Sequence, residues 1–410
     1  MPRPPVVADV TDVAGVVEER DAELARLRAL LRRLSPSPPS LPSPRVPPAL
    51  ALERVETPHG VALRRVEEVA LPPELARQAR PAPTAGTLFL DTETTGLAGG
   101  TGTYVFLVGL ATWSGRRLRV TQYFLGDLGA ERAFLHAVGE ALADAVQLIT
   151  FNGRTFDLPL LETRYLLARA PWWGSGLPHL DLYPLARALW RGHAADCRLT
   201  TLEATLLGLD RGDDLPGAVM PQLYFRYLRA RDLRPLPRIF AHNRWDLVAL
   251  AGLAVRAEAL LTGPDPRHDP REWIGAARWF ERRDPVRSAR FYEAALAADL
   301  PEDTRARVAW RLGALWRRAG RPAEALVLWA RAAAAEPPPP LGLLVDLAKL
   351  YEHHARDLAA ALALTRVALA RAAATGLATW RPAVLEALQH RARRIEQRLG
   401  APAERASPLR

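Results

Sequence analysis

The chain has 410 residues, of which 49% are hydrophobic, and it carries a formal net charge of +10. This length suffices for two to three domains, and no apolar run approaches the roughly 18 residues of a membrane span. Its single cysteine, Cys197, excludes an internal disulfide framework and a zinc site made of several cysteines.

The basic charge favours a polyanionic partner, and nucleic acid is the obvious one. Nearly all basic residues are arginine, and Lys349 is the only lysine, so a G+C-rich coding bias explains the charge equally well. The N-terminus shows no signal-peptide pattern. We therefore expect a cytoplasmic protein without a membrane partner.

The first 48 residues are predicted to form an appendage. Apolar residues at helical spacing predict an amphipathic helix within 1–34, and the prolines and serines of 35–48 make a linker that cannot remain helical. The helix either serves self-association or docks on the main domain, and both alternatives stay open at this stage.

Residues 49–262 are predicted to form an α/β domain with a mixed sheet. Two β-like runs flank a Pro58-His59-Gly60 turn, and helices are expected at 129–145, at 155–167 and through most of the stretch that ends near 262. Further strands are expected at 87–90, 104–111, 117–125 and 146–151. Strands in series, followed by alternating helix and strand, are typical of this fold class.

Two acidic residues follow the first of these buried strands. Asp91 and Glu93 lie two positions apart, so their side chains point to the same face. Paired carboxylates repel each other unless a positive charge lies between them, and a divalent metal ion commonly supplies it. The alternative is a strand followed by an ordinary polar turn.

Further acids occur at two later points. Asp157 lies at the start of a helix, just after a strand, where a first-turn acid that complements the helix dipole is the alternative reading. His242 and Asp246 are four residues apart and share one helical face. Burying both is costly unless they are paired or used in function, and a surface His–Asp pair is the alternative.

The ordered set of these motifs resembles the three exonuclease motifs of the DEDD superfamily. Asp91-x-Glu93, Asn152-x-x-x-Phe156-Asp157 and His242-x-x-x-Asp246 carry the resemblance, which covers about residues 50–262. Within that superfamily the chain resembles the YprB-like ribonuclease H-like proteins, through these segments together with His179-Leu-Asp181, Leu202-Glu203 and Pro216-Gly217. The resemblance implies a ribonuclease H-like fold and a 3′–5′ exonuclease type of metal site.

The resemblance also implies roles for the site residues. The carboxylates of Asp91, Glu93, Asp157 and Asp246 are expected to hold two Mg²⁺ or Mn²⁺ ions, and His242 to act as the base toward water. DEDD enzymes usually carry Tyr four residues before the last Asp or His five before it. Here His242 stands four residues before Asp246, which combines the residue of one type with the spacing of the other.

Substrate contacts are expected close to these acids, from Thr94, Asn152, Arg154 and Asn243. Asn152 equally suits a loop-holding role, and Arg154 a solvated surface position. Asp181 is expected to cap the helix that follows it, or to neighbour the site together with His179. The aromatic pairs Trp172-Trp173 and Tyr224-Phe225 either stack on bases or pack in the core.

The chain from about 268 to 400 is rich in alanine and predicted to be helical. Its central stretch matches tetratricopeptide spacing at Leu312, Gly313, Trp316, Gly320, Ala325, Trp329, Ala332 and Pro337. Weaker copies precede and follow it, at intervals close to the expected period of about 34 residues. This arm is expected to bind a protein or peptide, or only to brace the first domain. A disordered tail is expected at 401–410.

Together these features predict a metal-dependent nuclease, most simply a 3′–5′ exonuclease that acts on a single-stranded nucleic-acid end. The alternative function is a non-catalytic scaffold that binds nucleic acid while the repeats recruit a protein partner. Endonucleolytic cutting is a third reading. A scaffold has no need to gather four acids, which favours the nuclease.

Overall fold

A computed structural model describes residues 50–71, 86–96, 100–114, 117–174, 176–374 and 382–400. The predicted N-terminal helix at 1–34, the linker at 35–48 and the tail at 401–410 lie outside these residues. The described residues from Ala51 onward belong to one compact unit.

The described strands form one seven-stranded sheet with the order β1-β2-β5-β4-β3-β6-β7. Their bounds are β1 Glu53–Thr57, β2 Gly60–Ala70, β3 Thr87–Thr94, β4 Val105–Ser114, β5 Arg117–Phe124, β6 Gln147–Thr150 and β7 His179–Asp181. β1 to β5 pair antiparallel wherever they are neighbours, whereas β6 runs parallel to β3 and β7 runs parallel to β6. The predicted mixed sheet is confirmed.

β3 is an interior strand of the sheet, between β4 and β6, and its residues are buried on both faces. A strand covered on both faces reads as a continuous apolar run, as Thr87 to Leu90 does. Because β3, β6 and β7 are parallel, their carboxyl ends meet at one edge of the sheet. The residues that follow these three strands are thereby brought together.

Six helices accompany the sheet: α1 Glu131–Ala143, α2 Asp157–Leu167, α3 Leu182–Trp190, α4 Leu199–Leu202, α5 Met220–Ala230 and α6 Leu236–Thr262. The long α6 packs against β3, β4 and β5. Most of its residues from Leu247 to Leu253 are fully buried, which explains why this part of the helix is apolar all round. α6 therefore presents His242 and Asp246 to the sheet.

The structure corrects two of the predicted elements. β3 continues through Asp91 and Glu93 to Thr94 instead of ending before the acids. The short strand β7 was not predicted, because His179-Leu180-Asp181 offers a single apolar residue and no alternation to recognise. Its pairing with β6 places Asp181 beside Thr150.

The C-terminal region is helical, as predicted. Its helices are α7 Pro270–Phe280, α8 Pro285–Ala297, α9 Glu302–Arg318, α10 Pro322–Ala333, α11 Leu341–Leu350, α12 Leu358–Ala374 and α13 Pro382–Gly400. Consecutive helices pack as the pairs α7–α8, α9–α10 and α11–α12, with α13 against α12. The three predicted repeat copies coincide with these pairs, and their assignment as tetratricopeptide repeats stays a prediction.

One hydrophobic core continues from the sheet into the helical region. Leu189 and Trp190 of α3 share it with Trp273 and Ile274 of α7. At the contact, a Cβ added to Gly275 would overlap the carbonyl oxygen of Leu189, so only glycine permits this approach. No helix among the described residues has the length and apolar character needed to cross a membrane.

Candidate metal centre

Three elements bring the predicted acidic residues to the carboxyl edge of the sheet. Asp91 and Glu93 come from β3, Asp157 is the first residue of α2 after β6, and His242 and Asp246 lie on α6. Glu93, His242 and Asp246 each offer a ligand atom, and these atoms all lie within 4.8 Å of one another. Within the described chain this is the group whose geometry suits a metal ion.

Asp91 is held by a row of residues that crosses the sheet. It lies opposite Gly109 of β4, which lies opposite Gln122 of β5. Asn243 of α6 lies over the glycine: its Nδ2 donates to Oδ2 of Asp91 at 2.8 Å, and its Oδ1 accepts from Nε2 of Gln122 at 2.8 Å. A Cβ at Gly109 would overlap this amide, so the glycine makes room for it.

Asp157 is held by the strand that carries the other two acids. Oγ1 of Thr92 donates to its Oδ1 at 2.5 Å. Burial raises the pKa of Asp157 to about 6, although the hydrogen bonds from Thr92 lower it, and the charge of Asp181 adds to the rise. The carboxyl group is therefore available to a cation at neutral pH.

Crowding also shifts the two strand carboxylates. Burial raises the pKa of Asp91 well above its usual value, and the charges of Asp246, Asp157 and Glu93 raise it further. Burial raises the pKa of Glu93 to about 8, against the lowering effect of His242. These shifts show that the four predicted acids act on one another, as a shared cation site requires.

A second layer of charged residues fixes the two groups from α6. Nδ1 of His242 donates to Oδ2 of Asp214 at 2.8 Å. Arg211 donates from Nη1 to Asp214 at 3.1 Å and from Nη2 to Oδ1 of Asp246 at 2.5 Å, and its guanidinium also pairs with Glu203. The buried His242 and Asp246 are thus paired, as the sequence argument required.

The second layer sets the charge of His242. Burial lowers the pKa of this imidazole, but the hydrogen bond to Asp214 and the nearby charges of Asp246 and Glu93 outweigh burial and raise the pKa to about 9. The pKa of Asp214 is lowered: burial raises it, and the hydrogen bonds with His242 and Arg211 overcome that effect.

Sequence reasoning missed Arg211, Asp214 and Gln122. Arg211 lies between two glycines with left-handed backbone conformation, and Asp214 lies between the second glycine and helix α5. Charged residues in such a loop are usually solvated. Gln122 is fully buried in the middle of a strand that otherwise reads as alternating apolar residues. The one signal in the sequence was a polar residue at a position where the alternation of the strand has apolar residues, which predicts a buried polar side chain.

The predicted substrate contacts have mixed environments. Asn243 is fully buried, and its amide is used by Asp91 and Gln122, so the structure gives it a positioning role instead of exposure to substrate. Asn152 has a left-handed φ of 65° and accepts from Oγ1 of Thr155, which matches the loop-holding alternative. Thr94 is buried and donates to the carbonyl of Gly96.

Arg154 is exposed, as is Asn152, and the guanidinium of Arg154 reaches the carbonyl of His179 at 3.4 Å. Asp181 caps α3 by accepting from the amide of Tyr183, and it also accepts from the amides of Asn152 and Arg154. It therefore fixes the loop that precedes Asp157.

The aromatic pairs divide between the core and the surface. Tyr224 is fully buried and stacks on Phe106 with ring centroids 4.1 Å apart, which is core packing. Trp173 and Phe225 keep exposed fractions of 44% and 39%, so both remain accessible to a ligand.

A family model described as RNase_H superfamily matches residues 88–258, the stretch that contains all five predicted catalytic residues. Over 295 residues the chain is 30% identical to the protein YprB of Bacillus subtilis (strain 168), an alignment that covers 70% of this chain and 69% of YprB. The chain belongs to the YprB family of the ribonuclease H superfamily.

Among solved structures, the family B DNA polymerase of the archaeon Pyrobaculum calidifontis is similar at 16% identity and a TM-score of 0.34. The alignment covers 57% of this chain and 29% of the polymerase, so it spans less than a third of that protein. The ribonuclease H superfamily generally has nuclease activity, and its fold usually binds divalent metals.

Proposed function

We propose that this YprB-family protein is a metal-dependent nuclease that hydrolyses phosphodiester bonds of DNA or RNA, with 3′–5′ exonuclease polarity. The observation that carries the proposal is the convergence of Glu93, His242 and Asp246 within 4.8 Å at the carboxyl end of β3. Asp91 and Asp157 complete the set from the same edge of the sheet.

The residues fit divalent cations. The carboxylates of Asp91 and Asp157 are oriented by hydrogen bonds from Asn243 and Thr92, respectively. Burial is the main cause of the raised pKa values of Asp91 and Glu93, and the charges of the neighbouring carboxylates raise them further, so a cation placed among these groups would be favoured. We propose Mg²⁺ or Mn²⁺, two ions, because oxygen ligands dominate the set.

Bound divalent cations would supply Lewis-acid activation of water and stabilise the leaving 3′ oxygen. The chain's own residues then have separate tasks. Asn243 and Thr92 fix the carboxylates of Asp91 and Asp157, and Asp214 fixes the ring of His242. Nε2 of His242 faces the same space, and it would bind the cation or take a proton from water once it has lost the proton that a pKa of about 9 gives it at neutral pH.

The test uses DNA and RNA oligonucleotides labelled at each end, with Mg²⁺ or Mn²⁺. We expect cleavage that shortens the strand from its 3′ end, and a loss of at least about 100-fold in Asp91→Asn and Asp246→Asn, since both lose a charge at the cation site. Asp213→Asn is the matched control, because Asp213 is exposed in the loop next to Asp214. Activity that survives both site substitutions contradicts the proposal.

The alternative of a nucleic-acid-binding scaffold predicts a different result in the same assay. The wild-type protein would retain oligonucleotides without shortening them in either metal, and the site substitutions would leave binding unchanged. Cleavage of circular or end-blocked strands would instead identify an endonuclease.

A further inference from the structure

The imidazole of His242 is bonded at one nitrogen and open at the other. Nδ1 donates to Asp214 at 2.8 Å, which turns Nε2 toward Asp246 at 3.5 Å and Glu93 at 4.0 Å. Both Nε2 distances exceed those of good hydrogen bonds, and the described chain offers this nitrogen no closer partner. The side chain as a whole is 9% exposed.

The surroundings of His242 match those of a metal-binding histidine. Such a ligand typically donates its second ring nitrogen to a carboxylate, which fixes the tautomer and the ring orientation. Asp214 does this here, and Arg211 holds Asp214 in turn. Arg211 also takes Oδ1 of Asp246, so that Oδ2 is the oxygen facing Nε2.

We infer that His242 binds the metal directly through Nε2, together with Glu93 and Asp246, and that Asp214 orients it for this role. The inference rests on the proposed metal site but departs from the four-carboxylate set that the family resemblance implies, in which this histidine is only a base. A site with an imidazole ligand favours Mn²⁺ or another first-row transition ion over Mg²⁺, which binds oxygen ligands.

The test is Mn²⁺ binding to the full chain, followed by pulsed electron paramagnetic resonance and by calorimetry. We expect a ¹⁴N coupling from a coordinated imidazole in the wild type, absent in His242→Gln. Mn²⁺ affinity should fall about 10-fold or more in His242→Gln and to a smaller extent in Asp214→Asn, with Mg²⁺ affinity nearly unchanged.

His179→Gln is the matched control, because His179 lies near the acids but its Nε2 bonds to Thr150 at 2.8 Å. The control should keep the ¹⁴N coupling. Stoichiometric Mn²⁺ binding by the wild type without any ¹⁴N coupling would overturn the inference, and this readout needs no folded variant. Since the experiment needs no turnover, a coupling without cleavage would contradict the proposed nuclease while leaving the ligand assignment standing.

An independent feature is a cavity of about 200 Å³ where the end of α3 meets α7 and α9. It is lined by His193 and five arginines, Arg191, Arg271, Arg278, Arg307 and Arg311, and no acidic side chain is among its described lining residues. Three of the arginines pair with acids outside the cavity, Arg271 with Asp269, Arg307 with Asp303 and Arg311 with Glu281. Arg191 and Arg278 are exposed and have no carboxylate partner in the described chain.

The junction between the helices that carry these arginines is tightly packed. Nε1 of Trp190 donates to Glu272 at 2.9 Å, and Arg256 pairs with the same buried carboxylate at 2.8 Å. Gly275 lies directly on the backbone of Leu189. The helices that carry the arginines are therefore held in place around the cavity.

The geometry points to a binding site for the phosphate backbone of nucleic acid in this cavity. Guanidinium groups match phosphate oxygens in pairs, and an excess of positive charge without acids in the lining favours a polyanion. α3 has nine residues, about 14 Å, and it starts at Asp181 beside the metal centre. A strand of several nucleotides would reach both places, so the nucleic-acid identity of this ligand rests on the proposed function.

The test is fluorescence anisotropy of labelled single-stranded DNA and RNA with the full chain in EDTA, over a range of salt concentrations. The double variant R191Q/R278Q should bind several-fold more weakly at low salt. It should also reduce the salt slope by about 1.4, since each lost contact with a single strand contributes about 0.7. EDTA prevents cleavage, so binding is measured whether or not the protein is a nuclease.

The matched control is R290Q/R318Q, which removes the same charge from two exposed arginines of the same helical region that also lack an ion pair among the described residues. An equal loss of affinity in the control would overturn the proposal, because net charge alone would explain it. The proposal would also be overturned if R191Q/R278Q bound the oligonucleotide as tightly as the wild type does. If inorganic phosphate nevertheless bound to the wild type and not to R191Q/R278Q, the cavity would be a site for free phosphate.

Discussion

At the residue scale, the candidate metal centre buries several carboxyl groups close to one another. The pKa of Glu93 is raised to about 8, first by burial. A carboxyl group whose folded-state pKa is raised contributes stability below its unfolded pKa and loses that contribution as the pH rises through the folded value. The metal-free protein should therefore lose stability between about pH 5 and pH 8.

Glu93→Gln removes this cost, so we expect it to stabilise the metal-free protein. In EDTA the melting temperature should rise by about 2–4 °C at pH 8, equivalent to roughly 1 kcal/mol, with little change at pH 5. Thermal unfolding followed by circular dichroism at both pH values measures the effect. Glu68→Gln on the exposed side of β2 is the control. A lower melting temperature for Glu93→Gln at pH 8 would show that the ionised carboxylate of Glu93 does not destabilise the fold.

The proposed metal ligands were easier to predict than the residues that hold them. Asp91, Glu93, Asp157 and Asp246 stand in short motifs whose ordered set resembles the DEDD pattern, whereas each motif alone left an ordinary structural role open. Arg211 reaches Asp246 only because its loop folds back onto α6, and no local pattern encodes that contact.

At the scale of elements, three strands and one helix form the frame of Asp91. The row Asp91, Gly109 and Gln122 crosses β3, β4 and β5, and Asn243 bridges its two ends. Gly109 is needed because any Cβ would overlap Oδ1 of Asn243. The buried amide of Asn243 thus links the helix to the sheet at this position.

We expect Gly109→Ala to destabilise the protein by about 1–3 kcal/mol, the usual cost of overpacking a filled core. The displaced amide should also release Asp91 and lower the affinity for Mn²⁺. Urea unfolding and calorimetric Mn²⁺ titration measure the two effects. Gly102→Ala is the control, since a Cβ there meets no atom within 4 Å. Equal stability and metal affinity in Gly109→Ala would mean that Asn243 does not position Asp91.

Most helices and strands were predicted from the periodicity of their apolar residues, and β7 is the exception. β7 has three residues and depends on its neighbour: Leu148, Ile149 and Thr150 of β6 pair with it. A strand of this length is stabilised by sheet pairing rather than by its own pattern, so the sequence alone had no means to indicate it.

At the scale of the whole molecule, the helical region is more than an appended arm. Its helical class followed from the alanine-rich repeat, whereas its attachment did not, because the contact depends on Gly275 reaching the backbone of Leu189. Glu272 is fully buried at the same junction and bonds to Trp190, Arg256 and the amide of Asp269. Such a buried carboxylate is stable only while all its partners are present.

A chain that ends at Gly263 should therefore fail to fold as an independent nuclease domain. It would expose the fully buried Trp190 and Leu189, at a cost of roughly 2 kcal/mol for each side chain, and it would lose the partner of Arg256. We expect low solubility and no cooperative thermal transition by circular dichroism. Removal of α13 alone is the control, because its buried residues Leu388, Ala392 and Ile395 pack away from this core. A fragment ending at Gly263 that unfolds cooperatively and binds Mn²⁺ like the full chain would show that the shared core is dispensable.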